Sequence, residues 1–157
     1  METKTLVITS SAFINEGPMP ARYTCDGDGI NPPLQIEGLP ANTVTLALIA
    51  EDPDAPKGIF DHWIEWNIDP IKEIKEDSNP GISGNNSAGK TGYHAPCPPA
   101  GTHRYFFYIF ALDTDIDLPA GADKTALQQE MEGHIIAQGN IMGTYKRPSQ
   151  NPHHDHH

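Results

Sequence analysis

The sequence predicts a mainly β fold, with one or two peripheral helices. Proline and glycine are frequent, at 15 and 14 residues among 157, which is typical of a chain with many turns and short elements. Three apolar runs, residues 44–50, 60–68 and 106–112, are rich in β-branched and aromatic side chains. Such runs favour strands. Only the segment after Asp123 shows the spacing of an amphipathic helix.

The amino-terminal half is predicted to hold four strands. Residues 6–13 alternate and indicate a first strand, whereas residues 15–33 are interrupted by proline and glycine and have no regular period. Residues 34–36 form a short strand. Residues 44–50 are the most continuous apolar run and suit a central strand covered on both faces, with residues 60–68 beside it.

The carboxy-terminal half is predicted to hold a further core strand at residues 106–112, a helix and a last strand. One helical turn is expected at residues 71–76. Asp123 is a suitable N-cap, and Gly139 is the predicted stop of the helix. The apolar positions at helical spacing are Ala126, Leu127, Met131, Ile135 and Ile136. Residues 140–146 then form the last strand.

The length predicts a single domain, residues 1–147, followed by a His-rich tail, residues 148–157, that is excluded from fold reasoning and expected to be disordered. The formal net charge of −11 argues against nucleic-acid binding, because such a surface repels phosphodiester backbones. No run reaches the length of a membrane span or a secretion signal, so a cytoplasmic protein is expected. Cys25 and Cys97 lack zinc spacing and are expected to be reduced thiols.

Two motifs in the sequence have the wrong context for the site they suggest. Residues 84–91 match the phosphate-loop pattern G-x-x-x-x-G-K-[ST], but prolines follow where that motif needs a helix. A mobile surface loop is the better interpretation. The alternating Asp113, Asp115 and Asp117 suggest a calcium loop, yet the turn glycine and the closing glutamate are missing.

Three polar residues are predicted to converge at strand ends. Asp52 follows the central strand, His62 lies in the next strand, and His103 precedes the aromatic strand. A hairpin-like connection would place Asp52 and His62 at the same end of neighbouring strands. A carboxylate beside an imidazole fixes the tautomer of the ring, which serves binding sites, acid/base sites and purely structural pairs alike.

Asp52 and His103 lie in two segments that resemble the signatures of the phosphatidylethanolamine-binding protein family. The segments are Asp52-Pro53-Asp54-Ala55-Pro56 and Gly101-Thr102-His103-Arg104-Tyr105, with His62 between them. The chain is most similar to the bacterial Raf-kinase-inhibitor-like branch, and the resemblance extends over residues 6–146. Further matching segments are residues 23–27, residues 31–34, the loop with Lys90, Gly92-Tyr93 and residues 96–99. His94 and Ala95 depart from the glycine common there.

The resemblance implies a large antiparallel sheet packed on a smaller one, with a small anion pocket. The ligand-binding residues it implies are Asp52, Pro56, His62, His103 and Tyr105. Asp54 and Arg104 are expected to form a structural ion pair between the two signature loops, since an arginine fork matches a carboxylate.

The predicted function is non-enzymatic binding of a small anion or phosphorylated head group, with a kinase or protease partner as a further role of the family. Anion affinity is expected to rise as the pH falls through about 6.5, the ordinary histidine pKa. The alternatives are a hydrolase or a metal-binding protein that uses Asp52, His62 and His103. No nucleophile stands in a recognisable motif, and no catalytic residue, metal ligand or cofactor is assigned. The resemblance to the bacterial branch also suggests a homodimer.

Overall fold

The computed structural model describes residues 3–148 of the protein and is mainly β. The predicted His-rich tail, apart from Pro148, lies outside the described residues. The strands are β1 (Lys4–Thr5), β2 (Val7–Thr9), β3 (Gly17–Pro18), β4 (Leu34–Glu37), β5 (Thr45–Asp52), β6 (Phe60–Ile68), β7 (Glu73–Ile74), β8 (Ile82–Ser83), β9 (His103–Leu112) and β10 (Ile135–Tyr145). The one α-helix within residues 3–148 is α1 (Lys124–Met131).

The strands form a large sheet and a small one. The large sheet has the order β1-β10-β9-β5-β6-β8, and β3 also pairs with β10. It is mixed, because β1 and β3 run parallel to β10 while the longer strands pair antiparallel. The small sheet is antiparallel, with the order β2-β4-β7. The predicted fold class is therefore confirmed.

The predicted central strand, β5, lies between β6 and β9, and its side chains are buried on both faces. Its continuous apolar run reflects this position, since neither face meets solvent. The main core lies between the sheets and includes Leu34, Trp63 and Phe107. A second core cluster on the opposite face of the large sheet contains Trp66 of β6 and Leu127 of α1.

One predicted helical segment is wrong, and the other is confirmed but ends earlier than expected. The expected helical turn at residues 71–76 contains β7, because Ile74 is fully buried where it pairs with Leu34 of the small sheet. The helix begins after Asp123, whose side chain accepts a hydrogen bond from the Ala126 N–H, as predicted. It ends at Met131 rather than near Gly139.

Two features end the helix early. Gly133 has a φ of +82°, a left-handed conformation that glycine adopts without steric cost and that is common just beyond a helix. From Ile135 onward the chain pairs with β9 along the whole length of β10. The apolar residues at 135 and 136 fitted a helical period locally, but the long strand partner decides their conformation.

Candidate functional site

The candidate site lies at one end of the large sheet, where β5 ends and β6 and β9 begin. Asp52 is the last residue of β5 and pairs in register with Phe60, the first residue of β6. His103 is the first residue of β9. Because these strands are antiparallel neighbours, both signature segments meet at the same edge.

Asp52 and His103 form a buried pair at this edge. His103 Nδ1–H donates to Asp52 Oδ2 at 2.6 Å, and both side chains are less than a tenth exposed. The backbone N–H of Asp54 donates to Asp52 Oδ1 at 2.7 Å. Both carboxylate oxygens thus have a partner, and the bond to Nδ1 leaves Nε2 of His103 as the nitrogen available to a ligand.

The carboxylate of Asp52 therefore orients His103 and not His62. Asp52 and His62 do lie at the same end of the neighbouring strands β5 and β6, but the prediction that they form a pair is wrong. The ring of His62 is held by the loop of His94 instead. His62 Nδ1–H donates to the His94 carbonyl at 2.6 Å, and the His94 N–H donates to the His62 carbonyl at 2.8 Å. The Asp52–His62 pair was expected because β5 and β6 are consecutive in the sequence. That order does not reveal that β9 lies on the other side of β5 and brings His103 to Asp52.

Burial lowers the pKa of His62 to about 4, mainly because desolvation penalises the charged ring. The imidazole is therefore neutral at pH 7. With its Nδ1–H directed to a carbonyl, its Nε2 carries a lone pair and accepts a hydrogen bond rather than donating one. Nε2 of His62 has no hydrogen-bond partner within residues 3–148. It is not fully enclosed by protein atoms, so a ligand can reach it.

A cavity of about 380 Å³ opens beside His62. Its wall is largely aromatic, since the rings of Phe60, His94 and Tyr105 lie 4.7, 5.7 and 5.3 Å from the His62 ring between centroids. Lys90 is the one basic aliphatic side chain among the lining residues. The full lining consists of Phe60, His62, Ala88, Lys90, His94, Cys97, Pro98 and Tyr105. Such a cavity suits a ligand with one polar end and one apolar part.

Tyr105 connects the cavity with the buried pair. Its ring packs edge-on against His62 and stacks on His103 with centroids 6.4 Å apart. Burial, followed by the nearby charge of Asp52, raises the pKa of the Tyr105 hydroxyl. The hydroxyl therefore keeps its proton at physiological pH and can donate it to an anionic oxygen.

Asp54 and Arg104 join the two signature segments. The guanidinium donates from Nε to Oδ2 and from Nη2 to Oδ1, both at 2.9 Å, and the Arg104 backbone N–H donates to Oδ2 at 2.9 Å. Arg104 holds the pKa of Asp54 at about 2, chiefly through the side-chain hydrogen bonds. This contact positions the residues on either side of it, Asp52 and His103.

Cys25 and Cys97 form a disulfide, so the expectation of reduced thiols is wrong. Cys97 lines the cavity, and the backbone N–H of Cys25 donates to the Pro96 carbonyl at 3.0 Å. The Tyr93 hydroxyl also donates to the Tyr23 carbonyl at 2.8 Å. The cysteines are separated by 72 positions. No local spacing rule could reveal their contact.

The structure does not bring every predicted site residue to the cavity. His62 and Tyr105 line it, whereas Asp52 and His103 lie behind Tyr105 as the buried pair. Pro56 is exposed on the loop between β5 and β6 and is absent from the lining. Its ligand-binding role stays a prediction.

Sequence reasoning missed Phe60, Pro98 and Lys90 as lining residues. Phe60 had a usable signal, because it precedes His62 by two positions and side chains alternate along a strand. Lys90 comes from the loop that mimics a phosphate-binding motif. That loop is braced by its own Asn86, whose Oδ1 accepts from the N–H groups of Ala88 and Lys90 at 2.9 and 3.3 Å.

In the part of the chain that the structure describes, no group of three His, Cys, Asp or Glu side chains is arranged to hold a metal ion. Asp113 of the suspected calcium loop instead accepts a hydrogen bond from His134 Nδ1–H at 2.8 Å. No helix among residues 3–148 has the length and apolarity needed to cross a membrane.

The model of the phosphatidylethanolamine-binding protein family matches residues 9–146 of the chain. The chain belongs to this family. Among curated relatives, a UPF0098 protein of Methanothermobacter thermautotrophicus is 43% identical over 148 residues, covering 89% of this chain and 98% of the relative. Another, from Archaeoglobus fulgidus, is 48% identical over 145 residues, covering 87% of this chain. The match spans 50% of the length of that relative.

Solved structures of the family share the fold. A phosphatidylethanolamine-binding protein homologue from Chlamydia trachomatis superposes with a TM-score of 0.89 at 40% identity, covering 93% of this chain and 100% of the other. YbcL of Escherichia coli, described as a member of the mammalian family, gives a TM-score of 0.83 at 24% identity, covering 91% and 99%. At that identity YbcL supports the fold alone.

Proposed function

We propose that the protein binds a small anion or a phosphorylated head group in the cavity at His62 and Tyr105, without catalysing a reaction. The observation that carries the proposal is that Tyr105 and Lys90, two residues with proton-donating side chains, line one cavity, and that Tyr105 also stacks on His103 of the Asp52–His103 pair. A protein of net charge −11 has no general attraction for anions, so a local pocket must supply it.

The aromatic wall suits the organic part of such a ligand. Phe60, Pro98 and the ring of His94, which packs on Phe60, offer apolar surface, while His62, Lys90 and Tyr105 carry polar groups. A phosphomonoester with a short organic substituent matches this division, since the phosphate meets the donors and the substituent covers the rings. The family name supports this ligand class, because it refers to a lipid with a phosphorylated ethanolamine head group.

A binding role is preferred to a hydrolase for a reason within the cavity. Cys97, the one cysteine of the lining, is held in the disulfide, and the lining contains no serine or threonine hydroxyl. A covalent mechanism through a thiol or an aliphatic hydroxyl therefore has no nucleophile there. We expect no hydrolysis of an aryl phosphate above the rate in buffer. A kinase or protease partner, a homodimer and a cytoplasmic location complete the proposal, although a disulfide is uncommon in a reducing cytosol.

Calorimetry with phosphoethanolamine tests the binding role. Lys90→Met removes the aliphatic ammonium of an exposed lining residue and should weaken binding by about fivefold, since solvent screens part of the roughly 1.5–3 kcal/mol of a hydrogen bond to a charged group. Tyr105→Phe should weaken it by a smaller factor through loss of one hydroxyl donor.

Lys72→Met is the matched control for this experiment. It makes the same charge change at an exposed lysine that does not line the cavity. Equal loss of affinity in Lys72→Met and Lys90→Met would mean that phosphoethanolamine senses only the net charge of the protein, and the proposed site would be rejected.

A further inference from the structure

A second cavity, of about 600 Å³, lies on the opposite face of the large sheet. Side chains alternate along a strand, so Tyr108 of β9 points away from the face that carries Tyr105, and Glu51 of β5 points away from the face that carries Asp52. We call this cavity the outer groove. Its lining includes Glu51, Tyr108, Phe110, Gln128, Gln138 and Asn140.

An aromatic column runs along the outer face of β9. The rings of Phe106 and Tyr108 are nearly parallel, at 9°, with centroids 5.8 Å apart, and Tyr108 and Phe110 follow at 24° and 6.4 Å. These rings are half-buried, so each keeps part of its surface accessible. Ring faces carry the negative part of the aromatic quadrupole and attract cations.

One end of this column already holds a cation. The guanidinium carbon of Arg104 lies 5.6 Å from the centroid of Phe106, while its nitrogens bind the carboxylate of Asp54. The recognition unit at this end is therefore one carboxylate plus one aromatic ring. The same two components recur two residues further along β9, where Tyr108 lines the outer groove together with Glu51.

At the groove, Lys124 is shared between two carboxylates. Its Nζ forms a long ion pair with Glu51 Oε1 at 3.9 Å and a closer one with Asp61 Oδ1 at 2.7 Å. Lys124 thus mainly compensates Asp61. Glu51 is the one charged side chain among the lining residues. An anionic ligand is disfavoured there and a cationic one is favoured.

The remaining polar lining consists of side-chain amides. No hydrogen bond engages the amides of Gln128, Gln138 or Asn140 in the described part of the chain. Their carbonyl oxygens are acceptors for N–H or hydroxyl groups of a ligand. The groove thus combines aromatic surface, one negative charge and free acceptors.

We infer that the outer groove binds a small organic cation, with its ammonium or guanidinium group between Glu51 and the aromatic column and its polar substituents on the amides. This site is separate from the anion pocket and does not depend on the function proposed for it. A neutral saccharide and a second copy of the chain are the competing occupants, and the experiment below distinguishes them.

The probe is choline, compared with its neutral isostere in which carbon replaces the quaternary nitrogen, and with glucose. Binding to the full chain is followed by NMR, through the backbone amides of Tyr108 and Gln138. Choline should shift these amides, and the isostere and glucose should not. Glu51→Gln and Tyr108→Leu should each weaken choline binding by about fivefold or more, the range expected when one cationic contact is lost.

Glu37→Gln is the matched control, because Glu37 is an exposed carboxylate at the end of β4 in the other sheet. Circular dichroism confirms that each variant is folded, and the comparison of choline with its isostere on the unmodified chain remains decisive if one variant does not fold. Equal binding of choline and its isostere, shifts by glucose at the same amides, or burial of Tyr108 in a homodimer that excludes choline would each overturn the inference.

Discussion

At the scale of single residues, the site depends on which nitrogen of each histidine is occupied. His103 uses Nδ1 for Asp52, and His62 uses Nδ1 for the His94 carbonyl. Each ring therefore keeps Nε2 without a partner in the described residues, and of the two rings only that of His62 lines the cavity. Because burial keeps His62 neutral at pH 7, its Nε2 requires a partner that carries a proton. A monoprotonated phosphate satisfies this requirement, whereas a fully ionised anion does not.

This reasoning predicts a pH dependence for phosphoethanolamine binding. The affinity for phosphoethanolamine should rise as the pH falls from 8 to 6. The second pKa of its phosphate is about 6, so the monoprotonated phosphate becomes abundant in this range. The pKa of His62, about 4, lies too low for its own titration to cause the rise. Calorimetry across this pH range measures the effect.

Sulfate is the control ligand for this prediction, because it gains no proton between pH 8 and 6. The affinity for sulfate should not change with pH until His62 begins to titrate near its pKa of about 4. A sulfate curve that rises in parallel with the phosphoethanolamine curve would show that a protein group, and not the proton of the ligand, controls binding.

The Asp54–Arg104 contact gives a second prediction at the residue scale. The pKa of Asp54 is lowered in the folded protein to about 2, from its ordinary value of about 3.9. The contact therefore stabilises the fold above the unfolded pKa, and this contribution disappears as the pH falls through about 2. Asp54→Asn should lower the free energy of unfolding at pH 7 and have little effect at the acid end.

Urea unfolding of the variant and the unmodified chain at several pH values measures this difference. The exposed partner makes the effect small, since water and salt screen such pairs. The two stability curves should converge between pH 4 and 2. Parallel curves across this range would mean that the Asp54 carboxylate contributes nothing through its charge.

At the scale of elements, the loops around the cavity are held to the rest of the molecule by a few long-range contacts. The segment that carries Tyr93 and His94 is fixed by the disulfide, by the Tyr93 hydroxyl and by packing of Tyr93 against Trp63, with ring centroids 5.5 Å apart. The same segment supplies the carbonyl that orients His62. Order in this loop is therefore a condition for the geometry of the site.

Removal of the disulfide should destabilise the fold. Closing a loop with a separation of 72 positions restricts the unfolded chain, and such cross-links typically contribute about 2–4 kcal/mol. The double variant Cys25→Ser/Cys97→Ser should lose about that amount in urea unfolding. The reductant TCEP should lower the stability of the unmodified chain to the level of the variant.

The same reductant should leave the double variant unchanged, which separates loss of the disulfide from other effects of TCEP. Equal stability of the reduced and oxidised chains would show that the tertiary contacts of Tyr93 hold the loop without the cross-link.

At the scale of the whole molecule, the two faces of the large sheet differ in their chemistry. The face toward the small sheet holds the main core and, at its edge, the buried pair and the cavity at His62. The opposite face holds the second core cluster under α1 and the outer groove. The net charge of −11 repels anions at long range, so the anion binding that we propose depends on the residues that line the cavity at His62.

The β-rich class and the main strands can be predicted from the sequence alone. Strand and turn preferences depend on a few neighbouring residues, here the β-branched and aromatic runs and the Pro/Gly-rich turns. The resemblance of the sequence to the family implies Asp52, Pro56, His62, His103 and Tyr105 as ligand-binding residues, and of these His62 and Tyr105 line the cavity. The tertiary structure alone decided that Asp52 orients His103, that Cys25 meets Cys97, and that residues 135–136 extend as strand. These outcomes depend on partners far away in the chain, and the strand registers that bring them together are a property of the whole packed sheet.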